Sequence, residues 1–214
     1  MHAHLLVYHM GMHVSQRKQD EVAAEASDYM DVMCRIVIGP HHDQRFILNT
    51  DQTPVYFLMN AKRTLKVVGV KTVHVRTSTH DTKRATVAVT IMAVGLVIPL
   101  MVIFKGKSDR CITRKKFRDY PTIHHYHCQD NAWMDEEVMI AWVGMVLKPY
   151  VANASEDVIP LLILNSYRCH MMTSVVTQTQ ELGIKVRHIP GGCTSLYQPV
   201  DIGFNKSFKD RLRQ

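Results

Sequence analysis

Residues 158–190 read VIPLLILNSYRCHMMTSVVTQTQELGIKVRHIP, and their pattern sets the fold class. The run VIPLLILNSY has the length of a strand and no polar break before Asn165. A central strand covered on both faces reads this way. A helical stretch from Cys169 to Leu182 follows and stops at Gly183, the residue type that most easily closes a helix. IKVRHIP at 184–190 is a second strand. Strand, helix and strand in quick succession form the unit of a parallel sheet. GGCTSLYQP at 191–199 then reads as a loop, and DIGFNKSFKDRLRQ at 201–214 as a helix cut short by the end of the sequence.

Upstream of this unit the character changes. DEEVMIAWVGMVLKPY at 135–150 suits a helix with Val138, Trp142, Met145 and Val146 on one face, opened by Asp135, Glu136 and Glu137. Trp133 and Trp142 are both expected in its core. ATVAVTIMAVGLVIPLMVIF, from Ala85 to Phe104, carries no charge over 20 residues, the length of a membrane span. It is rich in β-branched residues and broken by Gly95 and Pro99, so it reads as two buried strands joined by an apolar turn, with no membrane partner. KGKSDRCITRKKFRDYP at 105–121 is a basic surface loop, and KTVHVRTS at 71–78 alternates as a strand does. RFILNTD at 45–51 is a short strand whose end presents Asp51, closed by the turn formers Thr53 and Pro54. DEVAAEASDYMDVMCRIVI at 20–38 suits a helix, while residues 1–19 have no clear period and read as a loose lead-in. The order is antiparallel strands, helix, strand, helix, strand, helix. It predicts an α/β, ribonuclease-H-like fold: a mixed central sheet flanked by helices, with acids from strand ends and the last helix meeting at one sheet edge.

The bulk properties agree with a globular chain and narrow its partners. With 46% hydrophobic and 21% charged residues, 214 residues can bury a substantial core. Lys and Arg outnumber Asp and Glu by 26 to 19, a net charge of +7, which suits a polyanionic partner. The five cysteines, Cys34, Cys111, Cys128, Cys169 and Cys193, form no CxxC pair, which points to a reducing intracellular compartment rather than a disulfide framework. MHAHLLVYHMGMH at the start has no basic leader before its apolar run, so no signal peptide is expected. His124, His125, His127, Cys128 and His170 invite a zinc site, but the HHYHC spacing matches no standard ligand pair. They read as loop or phosphate-proximal residues.

Several separated segments carry a family resemblance. They are NTDQTPVYF at 49–57, KTVHVRT at 71–77, VIFKGK at 102–107, CQDNAWMDEE at 128–137, LLILNSYRCH at 161–170 and HIPGGCTSLYQPVDIGFNKSFKDRL at 188–212. Together they resemble the pogo/Tigger branch of DDE transposases, which includes centromere-protein-B-like relatives. The resemblance spans residue 20 to the end, and the last block is the most specific. It implies that residues 20–214 are a DDE endonuclease core domain, C-terminally truncated, and that nothing before Asp20 supplies the family's helix-turn-helix region.

The family's first catalytic acid falls at Asp51 and its third at Asp201, in the QPVD motif. The second belongs where LLIL ends, and there the sequence has Asn165. The resemblance implies metal-dependent DNA strand cleavage and transfer, with Asp51 and Asp201 as metal ligands for Mg2+ or Mn2+. Such chemistry uses two divalent ions, and hard ions favour anionic oxygen ligands. An asparagine offers an oxygen without charge, so the expectation is a weakly held ion and impaired activity. Two further departures are the apolar MAVGLVIPL, where the family has a polar turn, and Ser207, where proline is common. The implied partner is DNA, held largely without sequence preference by KGK, TRKKFR and NKSFKDRLR, and the implied location is the nucleus. The alternatives are a non-enzymatic, domesticated DNA-binding protein and an untranslated transposon relic.

Overall fold

The computed structural model describes residues 16–39, 42–57, 83–107 and 116–213. Most of the lead-in and the KTVHVRTS segment lie outside the described residues. Among the described residues six strands form one sheet in the order β4-β3-β2-β1-β5-β6, with β4 (His125–Gln129) at one edge. Strands β1 (Ile47–Tyr56), β2 (Arg84–Met92) and β3 (Met101–Lys105) are antiparallel neighbours, while β5 (Leu161–Asn165) and β6 (Lys185–Ile189) run parallel to β1. The apolar 85–104 stretch is therefore two strands, as expected, with Gly95 at φ +81° in the turn between them. Among the described residues no helix is long and apolar enough to cross a membrane.

Helices cover both faces of the sheet. α1 (Gln16–Ile38) starts four residues before the expected Asp20 and packs Val22, Ala26, Tyr29, Met33, Ile36 and Val37 against Ile47, Leu161, Ile163 and Ile189. That spacing is one helical stripe. The opposite face holds Leu48, Met101, Ile103, Leu162 and Leu164 under α2 (Glu136–Trp142), a π-helical turn (Val143–Leu147), α3 (Lys148–Val151) and α4 (Thr173–Glu181). Leu161 and Leu162, neighbours on β5, are both fully buried on opposite faces. Each such side chain contributes about 1.5–3 kcal/mol, which is why an unbroken apolar run identifies a central strand.

Several local expectations are corrected. Met145 is 40% exposed, while Val138, Met139, Trp142, Val143, Val146 and Leu147 are buried. The buried positions recur every four residues because the π-helical turn widens the helix there. Trp133 precedes α2 and is 54% exposed, with the Arg84 guanidinium over its ring, so only Trp142 belongs to the core. The helix after β5 begins at Thr173, behind a short 3-10 turn (Arg168–Met171), and ends at Gly183 with φ +69°. The loop at 191–199 contains a single helical turn, α5 (Thr194–Tyr197). HYHCQ is an edge strand, β4 (His125–Gln129), parallel to β3, instead of a loop. Its Tyr126 joins Phe104, Phe117 and Tyr120 in one ring cluster, a half-apolar face that an edge strand can use.

Candidate active site

Asp51 lies in the middle of β1, not at its end, because the strand runs on through Thr53 and Pro54 to Tyr56. Among the described residues β1 pairs with β5 only from Ile47 to Asn49, so its far half has no described neighbour on that side, a position where proline is tolerated. The register does the rest. Ile47 sits beside Leu161 and Asn49 beside Ile163, so the next residues on that face are Asp51 and Asn165. Asn165 Nδ2 donates to Asp51 Oδ1 at 3.3 Å, and Asn165 Oδ1 accepts from the Tyr167 N–H at 3.3 Å.

Asp201 arrives on a second π-helical turn (Val200–Phe204), which runs into α6 (Asn205–Arg211). Two buried amides lock it to the sheet. Asn49 donates to the Ile163 carbonyl at 3.1 Å and accepts from the Val200 N–H at 3.0 Å. Gln198 donates to the Thr50 carbonyl at 3.1 Å. Val200, Phe204 and Phe208 then pack on Val87 and Val89 of β2, laying α6 and its Lys206, Lys209 and Arg211 on the Asp51 face. Asn49→Ala would strip partners from two backbone groups, at about 1 kcal/mol or more for each. The expected result is a loss of about 2 kcal/mol in a urea-unfolding curve. An unchanged curve would mean that the last helix docks without this amide.

The electrostatics fit a site built for a cation. Burial, and next the Asp201 carboxylate beside it, push the Asp51 pKa up to about 6, against smaller opposing hydrogen bonds from the Gln52 backbone and Asn205. Asn205 Nδ2 also donates to Asp201 Oδ1 at 2.6 Å. Behind Asn165 stands His170, whose ring nitrogens contact the Asn165 carbonyl at 3.0 Å and Gln52 Nε2 at 2.9 Å. Burial lowers the His170 pKa, so the ring is neutral at pH 7, with Nδ1 donating and Nε2 accepting.

The donor set is hard oxygen, which suits Mg2+ or Mn2+ more than zinc. Two carboxylates side by side, one of them raised in pKa by burial and then by its neighbour, are an arrangement that a cation's positive charge would stabilise. The set is nonetheless short of a full complement. Among the described residues no group of three or more His, Cys, Asp or Glu side chains could hold a metal. The structure thus brings Asp51, Asn165 and Asp201 together. It adds Asn49, Gln52, Gln198 and Asn205, which sequence reasoning missed, and His170, expected only as a loop or phosphate-proximal residue. A signal for two of them was available: Asn49 shares strand parity with Asp51, and Gln198 is a polar residue inside the specific C-terminal block. His124, His125, His127 and Cys128 lie on or beside β4 at the far edge of the sheet.

This sheet order, with two acids and an amide converging from β1, β5 and the last helix, defines a ribonuclease-H-like core of the DDE type. The DDE superfamily endonuclease profile matches residues 82–214, more than half of the chain, and the chain belongs to that family. Pogo-type proteins are among the relatives it resembles. The mouse and human proteins described as "Pogo transposable element with KRAB domain" are each 28% identical over 165 residues, covering 77% of this chain and 26% of the relative. The chain therefore spans about a quarter of the length of those relatives. Among solved structures, a Mos1 transposase paired-end complex with left transposon end aligns at TM-score 0.60 and 11% identity, over 99% of this chain and 53% of that one. A Mos1 transposase catalytic domain with raltegravir and Mn aligns at TM-score 0.58 and 10% identity, over 95% and 76%. These likenesses establish the fold.

Proposed function

We propose that this chain is the core of a transposon-derived DDE endonuclease that engages DNA through its basic surface, and that Asn165 leaves its strand-cleaving chemistry impaired. The observation that carries this reading is the contact of Asn165 Nδ2 with Asp51 Oδ1, at the place where the family's second acid belongs. Asp51 and Asp201 would hold magnesium or manganese, and ions bound there would supply activation of the attacking oxygen and stabilisation of the leaving one. With two carboxylates instead of three, this chain holds such ions weakly. Asn49 and Gln198 fix the separation of the ligands, and neutral His170 fixes the end of β5. Lys105, Lys107, Arg118, Lys206, Lys209 and Arg211 would contact phosphates, which position a duplex without reading its sequence. The DNA partner makes the nucleus the expected location.

DNA binding should weaken as salt rises, with a log–log slope of about −0.9 per phosphate neutralised. Affinity flat between low and moderate salt would reduce the basic side chains to a solvated face and remove the DNA partner. Supercoiled-plasmid nicking in Mn2+ tests the chemistry. Wild type is expected to nick no faster than background, and Asn165→Asp to nick measurably. Efficient wild-type nicking would contradict the impairment. Salt-dependent binding with no nicking by either protein would favour the non-enzymatic DNA-binding reading, for which the apolar turn at Met92–Leu100 is a second departure from the family pattern.

A further inference from the structure

We infer that the cavity walled by Trp133 and Tyr167 takes one unpaired base of a DNA strand, an inference that rests on the DNA partner proposed above. The cavity holds about 250 Å3, and its surface is mostly apolar, with Trp133, Met134, Tyr167 and Met172 among its walls. Trp133 and Tyr167 are 54% and 43% exposed, so both rings are open to a ligand. A large aromatic left in solvent adds little to the core, whereas every nucleobase has a face that stacks on it. The Arg84 guanidinium stands over the Trp133 ring, 5.9 Å from its centroid, and Arg168 lines the cavity next to Tyr167. These two cations can hold the strand's phosphates while the rings hold the base. Asp135 and Glu136 line the cavity as well, and their carboxylates turn away a phosphate but accept from the ring N–H and amino groups of a base.

The wall that carries Trp133 is held in place by its own hydrogen bonds. Gln129 Oε1 accepts from the Asn131 and Trp133 N–H groups at 2.6 and 3.0 Å, and Gln129 Nε2 donates to Asp135 Oδ2 at 3.0 Å. The Thr86 hydroxyl donates to the carbonyl of buried Ala132, whose φ of +56° is uncommon for a residue with a side chain. A loop so tightly bonded loses little freedom when Trp133 takes a ligand. The other wall is tied to the candidate active site. The Tyr167 N–H donates to Asn165 Oδ1 at 3.3 Å, and the Tyr167 ring meets His170 edge-on at 5.8 Å. The cavity lies on the sheet face packed by α2 and α4, so a strand held at Asp51 and Asp201 would reach it over Tyr167, at the end of β5. A base stacked inside a duplex has no free face to offer Trp133, which restricts the cavity to a single strand or a base flipped out of the duplex.

The test is fluorescence anisotropy with the full chain, in EDTA, and labelled oligonucleotides of one length: a single strand, the same strand carrying abasic sites, and the matching duplex. Trp133→Ala is expected to weaken single-strand binding by about tenfold or more and to leave duplex binding as in wild type. Tyr167→Ala should act in the same direction, and wild type should bind the abasic strand about tenfold more weakly than the ordinary one. If Trp133→Ala binds the single strand as wild type does, or loses single strand and duplex alike, the inference is overturned while the DNA partner stands. If Trp133→Ala fails to fold, equal wild-type affinity for the ordinary and abasic strands overturns it instead. If wild type binds none of the three, the DNA partner itself is wrong, and the inference falls with it.

Discussion

Asp51→Asn is expected to raise the melting temperature of the metal-free chain at pH 8 by about 6 °C or more. The folded-state pKa of Asp51 is raised from 3.8 to about 6 by burial and by Asp201. A group raised in this way contributes stability that is fully present below pH 3.8 and is lost as pH rises through about 6. Every tenfold change in proton affinity between the folded and unfolded chain corresponds to about 1.4 kcal/mol, so the ionised, metal-free site costs about 3 kcal/mol. In a chain of this size 1 kcal/mol moves the midpoint by about 2–4 °C. The variant amide can accept from Asn165 as the carboxylate does, and it can donate to Asp201 where two anions now face each other. The advantage should vanish near pH 4, where Asp51 is protonated in wild type. Burial lowers the His170 pKa in both proteins, so its contribution, lost as pH falls below its usual value, cancels in the difference. Melting curves from pH 4 to 8 read the effect directly. A variant less stable than wild type at pH 8 would mean that Asp51 and Asp201 do not oppose each other.

Asn165→Asp works in the opposite direction. The Asn165 Nδ2 that now donates to Asp51 at 3.3 Å would become a carboxylate oxygen at the same place. Two charges at that distance and an effective dielectric near 20 repel by about 5 kcal/mol before relaxation and screening. The lost hydrogen bond adds about 1 kcal/mol. A net destabilisation of about 2 kcal/mol or more is expected for the metal-free protein, a midpoint lower by about 4 °C or more. Added Mn2+ should reverse the order, because a third carboxylate gains more from the ion than an amide does. Equal midpoints with and without metal would place position 165 away from Asp51 and Asp201.

The fold was legible wherever a single physical rule governed a segment. The unbroken LLIL run could only be a strand buried on both faces, Gly183 closed its helix, and Gly95 with Pro99 divided the apolar stretch into two strands. Legibility failed where two rules competed. Thr53 and Pro54 look like a turn, yet they pair with β2 and have no neighbour among the described residues on the other side, so the strand continues and Asp51 sits in its middle. HYHCQ carries too many polar atoms to announce a strand, but an edge strand buries only part of itself. The helical face through Met145 was misplaced because a π-helical turn has no sequence signature of its own. The site's members Asp51, Asn165 and Asp201 were readable only through the family motif, since nothing in spacing alone brings β1, β5 and the last helix together. Asn49, Gln198 and Asn205 stayed hidden for the same reason: their partners are backbone and side-chain atoms far away in sequence or an acid whose role was known only by resemblance.

The most direct measurement is calorimetric titration of Mn2+ into wild type and Asn165→Asp at neutral pH. If Asn165 fills the place of the missing acid beside Asp51 and Asp201, restoring the carboxylate should tighten binding by about tenfold or more, as one added ionic ligand would. Identical affinity in the two proteins, with wild-type binding intact, would contradict the assignment of position 165 to the site.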